Sequence, residues 1–352
     1  VKTRLRSLPF VLNIEPSNAC NLQCPFCYTG AGGLGRQRTS MPLPLYRRLL
    51  DELADSALVL KAYGWGEPLL CGHLADMIAL AHGRGLYTIV TSNFSLRYPA
   101  ARMEALVASG LSEFVVSIDG TRQETYEQYR VGGRLELVLD NVRRLQHTRA
   151  RLGSASPRVV IEFHPFPWNV GDVPAIRELA RALDVQLRLY KGCMPDEEWA
   201  KNQDWAYCGD PKPMPCHFLW TTAVIAADGG VAPCNGTFYA ADDMGRVDLS
   251  ALAHTRFRAI WNNERFRLAR GLFRLAPASL EGARGQACYE CPNTRLWSRW
   301  AKHVTEGGTE RTFDLGISTN DTWTYFWNRR PPAAPRLHAA GRAPAPRSVN
   351  AA

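Results

Sequence analysis

Residues 15–28 read EPSNACNLQCPFCY, and the reading of that stretch decides the fold. Cys20, Cys24 and Cys27 stand at C-x3-C-x2-C spacing on one short loop, directly after an apolar run at residues 10–14. Soft thiolates select iron–sulfur clusters or zinc, and three on one loop can hold three irons of a 4Fe–4S cube. A structural zinc site is closed by a fourth ligand, and no further Cys or His lies within the loop. One iron is therefore left open for a ligand the loop does not supply.

Working outward, short apolar or β-branched runs recur at residues 10–15, 58–63, 86–91, 114–119, 159–164 and 186–190. Amphipathic helical patterns separate them. The clearest is Leu135, Val138, Leu139, Val142 and Leu145, an i, i+3, i+4, i+7 stripe. Strands alternating with helices predict parallel βαβ units in an α/β fold, curled into a partial barrel by right-handed crossovers. Alternation also sorts the side chains. Val159, Ile161 and Phe163 suit the helix-facing side, which turns Glu162 and His164 into the lumen. The same parity points Asn13, Glu15, Ser117, Asp119, Arg188 and Tyr190 inward. A closed barrel fills its lumen with branched apolar residues, so a polar lining predicts a ligand chamber or solvated residues at its mouth.

The cysteine spacing, with Phe26 directly before Cys27, resembles the signature of the radical S-adenosylmethionine (SAM) superfamily. The resemblance implies a partial (β/α)6 barrel over residues 8–192. It also implies an open iron that chelates SAM, and a 5′-deoxyadenosyl radical that abstracts a substrate hydrogen. By the same resemblance Phe26 lies beside the adenine, and Tyr63-Gly64-Trp65-Gly66-Glu67-Pro68 is similar to the family's GGE-type segment. There Gly64 and Gly66 let backbone approach the ligand, and Glu67 and Pro68 complete the binding of the SAM amino group. Asn93 follows strand three, where Phe94 stands in place of the family's usual glycine. Ser117 and Asp119 match an S-x-D-G segment near the SAM ribose and carboxylate, and Arg130 is expected to pair with that carboxylate.

A second set of thiols follows. Cys216 and Cys234 flank a hairpin signal, Asp228-Gly229-Gly230, in which glycine supplies positive φ. Cys288 and Cys291 form a C-x2-C pair beyond a helical stretch at residues 256–275. Four thiolates saturate a cluster or a zinc ion. The arrangement resembles the SPASM/twitch modules appended to radical SAM barrels, which implies a second, auxiliary 4Fe–4S cluster within residues 193–300. Of the three remaining cysteines, Cys71 reads as packed, and Cys193 and Cys208 as inert, spare ligands or hydrogen-atom donors. Residues 301–328 form a C-terminal extension, and residues 329–352, rich in Pro, Ala and Arg, read as a disordered tail.

The chain has 352 residues, 46% of them hydrophobic, and a formal net charge of +9. Five arginines and no acidic residue lie in the last 24 positions, so the rest of the chain carries an ordinary +4. No basic–aromatic groove predicts nucleic acid, and no apolar run is long enough to cross a membrane. Ten cysteines, seven of them in sets at ligand spacings, predict a reducing, cytoplasmic setting rather than a disulfide framework. With few residues ahead of strand one, no N-terminal peptide-recognition module is expected.

The expected function is radical oxidation of a small polar substrate, a sugar or aminocyclitol alcohol in secondary metabolism, on the pattern of the 2-deoxy-scyllo-inosamine dehydrogenases of this superfamily. Its electron donor would be of flavodoxin or ferredoxin type. Glu162, His164, Arg188, Tyr190 and Cys193 are the candidate catalytic residues. Three alternatives stay open: maturation of a ribosomal peptide, epimerisation with a cysteine hydrogen donor, and a non-catalytic iron–sulfur or zinc protein. Oligomeric state is not legible.

Overall fold

The computed structural model describes residues 2–33, 35–189, 216–237, 239–250, 256–274, 281–291 and 294. Six strands build the barrel: β1 Val11–Ile14, β2 Val59–Lys61, β3 Tyr87–Ser92, β4 Glu113–Ser117, β5 Arg158–Phe163 and β6 Gln186–Leu189. Neighbours pair in parallel, in the order β6-β5-β4-β3-β2-β1. All six expected runs are strands, shifted by a residue or two at their ends. Helices α1 Leu43–Leu53, α2 Leu74–His82, α3 Ala100–Ala108, α4 Gln123–Glu127, α5 Leu135–Arg151 and α6 Val173–Ala182 fill the connections. Each long helix buries one stripe. In α1 that stripe is Leu45, Tyr46, Leu49, Leu50 and Leu53, and truncating one such leucine typically costs about 2–5 kcal/mol. No helix among the described residues is long and apolar enough to cross a membrane.

The expected stripe of α5 is buried at Leu135, Val138, Val142 and Leu145, and it also buries Asn141. That amide donates to the carbonyls of Phe94 and Leu96, both at 2.9 Å, and so pins the loop leaving β3. Phe94 itself sits at φ 53°, in the left-handed region that glycine would occupy without strain. Its ring is fully buried and meets Phe114 edge-on at 4.9 Å. The turn therefore forms without the glycine, held by ring packing on one side and Asn141 on the other.

The sheet does not stop at β1. Strand β7 (Thr222–Ile225) lies parallel to β1, and the hairpin continues antiparallel through β8 (Gly230–Ala232) to β9 (Gly245–Arg246). The expected hairpin is present, with Gly229 at φ 87°. It lies within the expected auxiliary region, residues 193–300, and extends the barrel sheet from the β1 edge. Arg36 fastens this join. Its guanidinium is buried between Asp228, at 3.1 Å, and Asp243, at 2.9 Å through Oδ2. A Cβ on Gly230 would fall 2.2 Å from Asp243 Oδ2 and 2.4 Å from the Arg36 guanidinium, so only glycine leaves room for the triad.

Candidate functional site

The cysteine loop leaves β1 and folds back over its end. Asn18 holds it at both ends of its side-chain amide, donating to the Gln37 carbonyl at 2.9 Å and accepting from the Thr39 N–H at 2.7 Å. Cys20, Cys24 and Cys27 all face one cavity of about 280 Å³. Cys20 Sγ accepts from the Leu22 N–H at 3.4 Å and from Asn93 Nδ2 at 3.6 Å. Burial pushes the Cys20 thiol up to about 11 and the Cys24 thiol to about 12. Thiols so placed stay protonated at neutral pH unless a metal takes the proton's place. Three thiols around a shared cavity, Cys24 buried and Cys20 and Cys27 half-buried, fit an iron–sulfur cube.

The opposite wall of that cavity is the segment after β2. Gly64, Gly66 and Glu67 line it, as do Asn93, Ser117, Phe26 and Arg130. The glycines are needed for a reason the sequence did not supply. A Cβ on Gly64 would lie 2.4 Å from Glu15 Oε1, and one on Gly66 would lie 2.1 Å from the Ser17 carbonyl oxygen. Close packing against β1 and the cysteine loop thus demands glycine whether or not a ligand is bound. Glu67 lines the cavity as expected and has a further role within the fold. Its carboxylate already accepts from Leu69 N–H at 3.0 Å, Ser92 Oγ at 2.8 Å and Asn93 N–H at 2.8 Å. It braces β2 against β3. Pro68 is buried in the short turn Pro68–Leu70 and does not line the cavity.

Asp119 lies behind the cavity wall rather than in it. Arg130 Nε donates to its Oδ2 at 2.5 Å, and His164 donates its backbone N–H to Oδ1 at 2.8 Å. His164 Nδ1 stands 3.1 Å from the same oxygen. Burial raises the Asp119 carboxyl, but Arg130 and then His164 outweigh it and hold the group down to about 2. The aspartate therefore fixes the positions of two side chains that do face the cavity. Beside them is an aromatic group. Phe26 lies 6.0 Å from Tyr129 and 6.5 Å from Trp168, and Phe166 stacks on Trp168 at 4.8 Å.

Beneath this site the barrel lumen is a cavity of about 990 Å³. Tyr63, Gly64, Trp65, Thr91 and His164 border both cavities, so the two volumes share a wall. Alternation placed Asn13, Glu15, Glu162, His164 and Arg188 correctly, since all five line the lumen. Glu162 Oε1 is 3.7 Å from His164 Nε2, and its Oε2 is 3.6 Å from Arg188. Tyr190, Cys193 and Cys208 lie outside the described residues, as do residues 301–352. Lys61, Glu113 and Arg158 also line the lumen, and the sequence reading missed them. Extending the parity of Ser117 back through Val115 would have reached Glu113. Register decides Lys61, which pairs with Asn13 across β1 and β2. Burial raises Glu113, but Arg158 and Arg188 overcome it and leave the carboxyl below its ordinary value.

The second thiol set assembles as its spacing suggests. Cys216, Cys234, Cys288 and Cys291 edge one small cavity together with Leu219 and Phe273. Cys234 Sγ accepts from the Gly236 N–H at 3.3 Å, and burial pushes the Cys216, Cys234 and Cys288 thiols up. Thr237 lines both this cavity and the lumen. Cys71 is buried in the main core, as a packed residue should be.

Residues 14–152 match the model of the radical SAM superfamily, and residues 216–292 match that of the SPASM iron–sulfur cluster-binding domain. A PqqA peptide cyclase of Ruegeria pomeroyi is 28% identical over 193 residues, which are 54% of this chain and 49% of that protein. The chain thus spans about half the length of the curated relatives it matches. Streptococcus suis SuiB bound to S-adenosylmethionine superposes with a TM-score of 0.57 at 15% identity, covering 86% of this chain and 75% of SuiB. BtrN in complex with AdoMet and 2-DOIA gives a TM-score of 0.48 at 18% identity, covering 76% of this chain and 88% of BtrN. That fit is too loose to support the specific likeness to an aminocyclitol dehydrogenase. The chain carries a radical SAM domain, which takes a 4Fe–4S cluster and SAM, followed by a SPASM domain, which takes an auxiliary iron–sulfur cluster.

Proposed function

We propose that this protein abstracts a hydrogen atom from a polar side chain of a peptide admitted to the barrel lumen. The observation that supports the radical chemistry is the wall shared by the thiol-lined cavity and the lumen, across which a substrate in the lumen would lie beside SAM. Cys20, Cys24 and Cys27 hold the SAM-binding cluster, and Cys216, Cys234, Cys288 and Cys291 hold the auxiliary one. When bound, SAM and its cluster supply a 5′-deoxyadenosyl radical. The chain's own residues orient the reactants. Phe26 and its aromatic neighbours flank the adenine, while Arg130, held by Asp119, faces the SAM carboxylate. Gly64, Gly66, Asn93 and Ser117 form the rest of the wall, and Glu67 keeps that wall in place. Glu162 and His164 stand at the lumen's upper end, where they receive a proton released from the substrate. The electron left behind would be accepted by the auxiliary cluster that Cys216, Cys234, Cys288 and Cys291 would hold. A flavodoxin- or ferredoxin-type protein supplies the electron for SAM cleavage.

The peptide substrate is supported by the relatives named PqqA peptide cyclase. A second reading, dehydrogenation of a small polyol, is favoured by the polar lumen lining. One experiment separates them. The protein is reconstituted anaerobically with iron and sulfide, reduced, and given SAM with either short precursor-type peptides or a panel of polyols and aminocyclitols. Release of 5′-deoxyadenosine is expected to rise with a peptide, whose product is lighter by a hydrogen pair. A rise with polyols alone would replace the first reading by the second, and no SAM cleavage at all would end both.

A further inference from the structure

The charges that face the lumen do not balance. Lys61, Arg158 and Arg188 line it against Glu113 and Glu162. Arg158 and Arg188 both close on Glu113, and Arg188 also reaches Glu162. Two further charged residues line the chamber but are engaged elsewhere. Arg36 is held by Asp228 and Asp243, and Glu15 accepts from three backbone amides. Among the described residues, the cation left over is Lys61.

The described residues around it supply no counter-charge. The strand partners of Lys61 are Asn13 on β1 and Ile89 on β3, both neutral. The Asn13 amide nitrogen is spent on the carbonyls of Lys61 and Tyr63, at 3.2 and 2.5 Å. The titratable neighbour that feels its charge is His217, a base rather than an acid. Burial alone acts on the lysine and lowers it, with no carboxylate among the described residues to offset that. A partly desolvated ammonium without an anion is costly. That cost is offset if the ligand of the chamber brings the anion.

Position fixes where that anion would lie. Tyr63, two residues beyond Lys61, borders both cavities. Tyr63 lies just past the end of β2, and two residues of chain span at most roughly 7 Å. Lys61, inside the strand, is thus deeper in the lumen than the wall through which the reaction takes place. We propose that Lys61 is a substrate-recognition residue that pairs with a carboxylate, so that the lumen selects substrates carrying an acidic group below the reacting carbon. This assignment rests on the lumen being the substrate chamber.

Calorimetry on the reconstituted protein with SAM present tests it without turnover. The probes are N-acetylglutamate N-methylamide with its neutral glutamine counterpart, and glutarate with glutaramide. The wild type is expected to prefer a carboxylate over its amide by about tenfold, the worth of one charge-assisted hydrogen bond. Lys61→Gln should narrow that preference to within about twofold, while Lys61→Arg, which keeps the charge, retains it. Preference for the blocked glutamate over glutarate assigns the carboxylate to a peptide side chain, and the reverse order assigns it to a free acid. Equal binding of acid and amide by the wild type, or an undiminished preference in Lys61→Gln, would overturn the assignment. Release of 5′-deoxyadenosine is measured separately, so failure of the radical reading is distinguishable from failure of this one.

Discussion

Glu15 Oε2 accepts the backbone N–H of Ala227 at 3.1 Å, while Oε1 of the same carboxylate accepts the N–H groups of Trp65 at 2.7 Å and Gly66 at 3.3 Å. One buried side chain at the end of β1 therefore ties the wall of the SAM cavity to the hairpin that leads into Cys234. Neither tie depends on sequence proximity, since Ala227 is 212 residues away.

Removing that carboxylate should loosen both cluster sites together. Glu15→Ala leaves three amide donors without their acceptor, at a cost of about 3 kcal/mol or more. Glu15→Gln keeps one carbonyl oxygen and should cost about half as much. Urea unfolding under argon, with iron counted per chain, checks this. If Glu15→Ala held full iron and an unchanged midpoint, the carboxylate would not be the tie.

Phe94 offers a test in which the usual order of two substitutions inverts. Truncating its buried ring should cost about 3–5 kcal/mol. Glycine loses the same ring but relieves the left-handed strain, worth roughly 1–2 kcal/mol. Phe94→Gly should therefore be more stable than Phe94→Ala, although glycine is normally the worse replacement. Chemical denaturation of the two variants decides the matter. An alanine variant as stable as the glycine one would mean that φ 53° carries no strain here.

At the cavity wall the two glycines should differ. The Cβ of Gly66→Ala meets backbone atoms of Ser17 and Asn18 at 2.1 and 2.6 Å, which cannot move without shifting the cysteine loop. The Cβ of Gly64→Ala meets the Glu15 side chain, which can yield without moving the cysteine loop but only by loosening its own hydrogen bonds. Gly66→Ala is expected to lower SAM-dependent 5′-deoxyadenosine release by at least about a hundredfold, in keeping with the penalty for misplacing reacting groups by 1 Å. Gly64→Ala should fall well short of that. Equal losses would show that the two contacts yield equally.

The lumen lysine predicts a pH effect of definite sign. Burial depresses Lys61 below its ordinary value of 10.5. Between the folded and unfolded values the unfolded chain binds more protons, so stability rises with pH there. The penalty for the charged lysine is full below the folded value and is relieved as pH climbs toward 10.5. Lys61→Met should therefore be more stable than wild type at pH 7, with the gap closing in alkaline buffer. Urea midpoints taken from neutral pH to about 10 will show it. A gap that widened with pH would contradict the sign.

The sequence by itself determined the strand and helix order, since period-2 and period-3.6 patterns are local and each element answers to its own residues. It also determined the two thiol sets and the inward parity of Glu162, His164 and Arg188, because side-chain direction on a strand alternates without reference to the rest of the chain. Tertiary structure decided what depends on register and on contacts distant in sequence. Only the pairing of β1 with β7 shows that the hairpin prolongs the barrel sheet. Only the β1–β2 register sets Lys61 beside Asn13 in the lumen. Glu67 was legible as a ligand residue but not as a brace, because the three donors it accepts from come from a turn and a neighbouring strand. Gly64 and Gly66 looked like concessions to a ligand, yet the atoms that exclude a Cβ belong to Glu15, Ser17 and Asn18. A local pattern records which way a side chain points, and folding alone determines what it meets there.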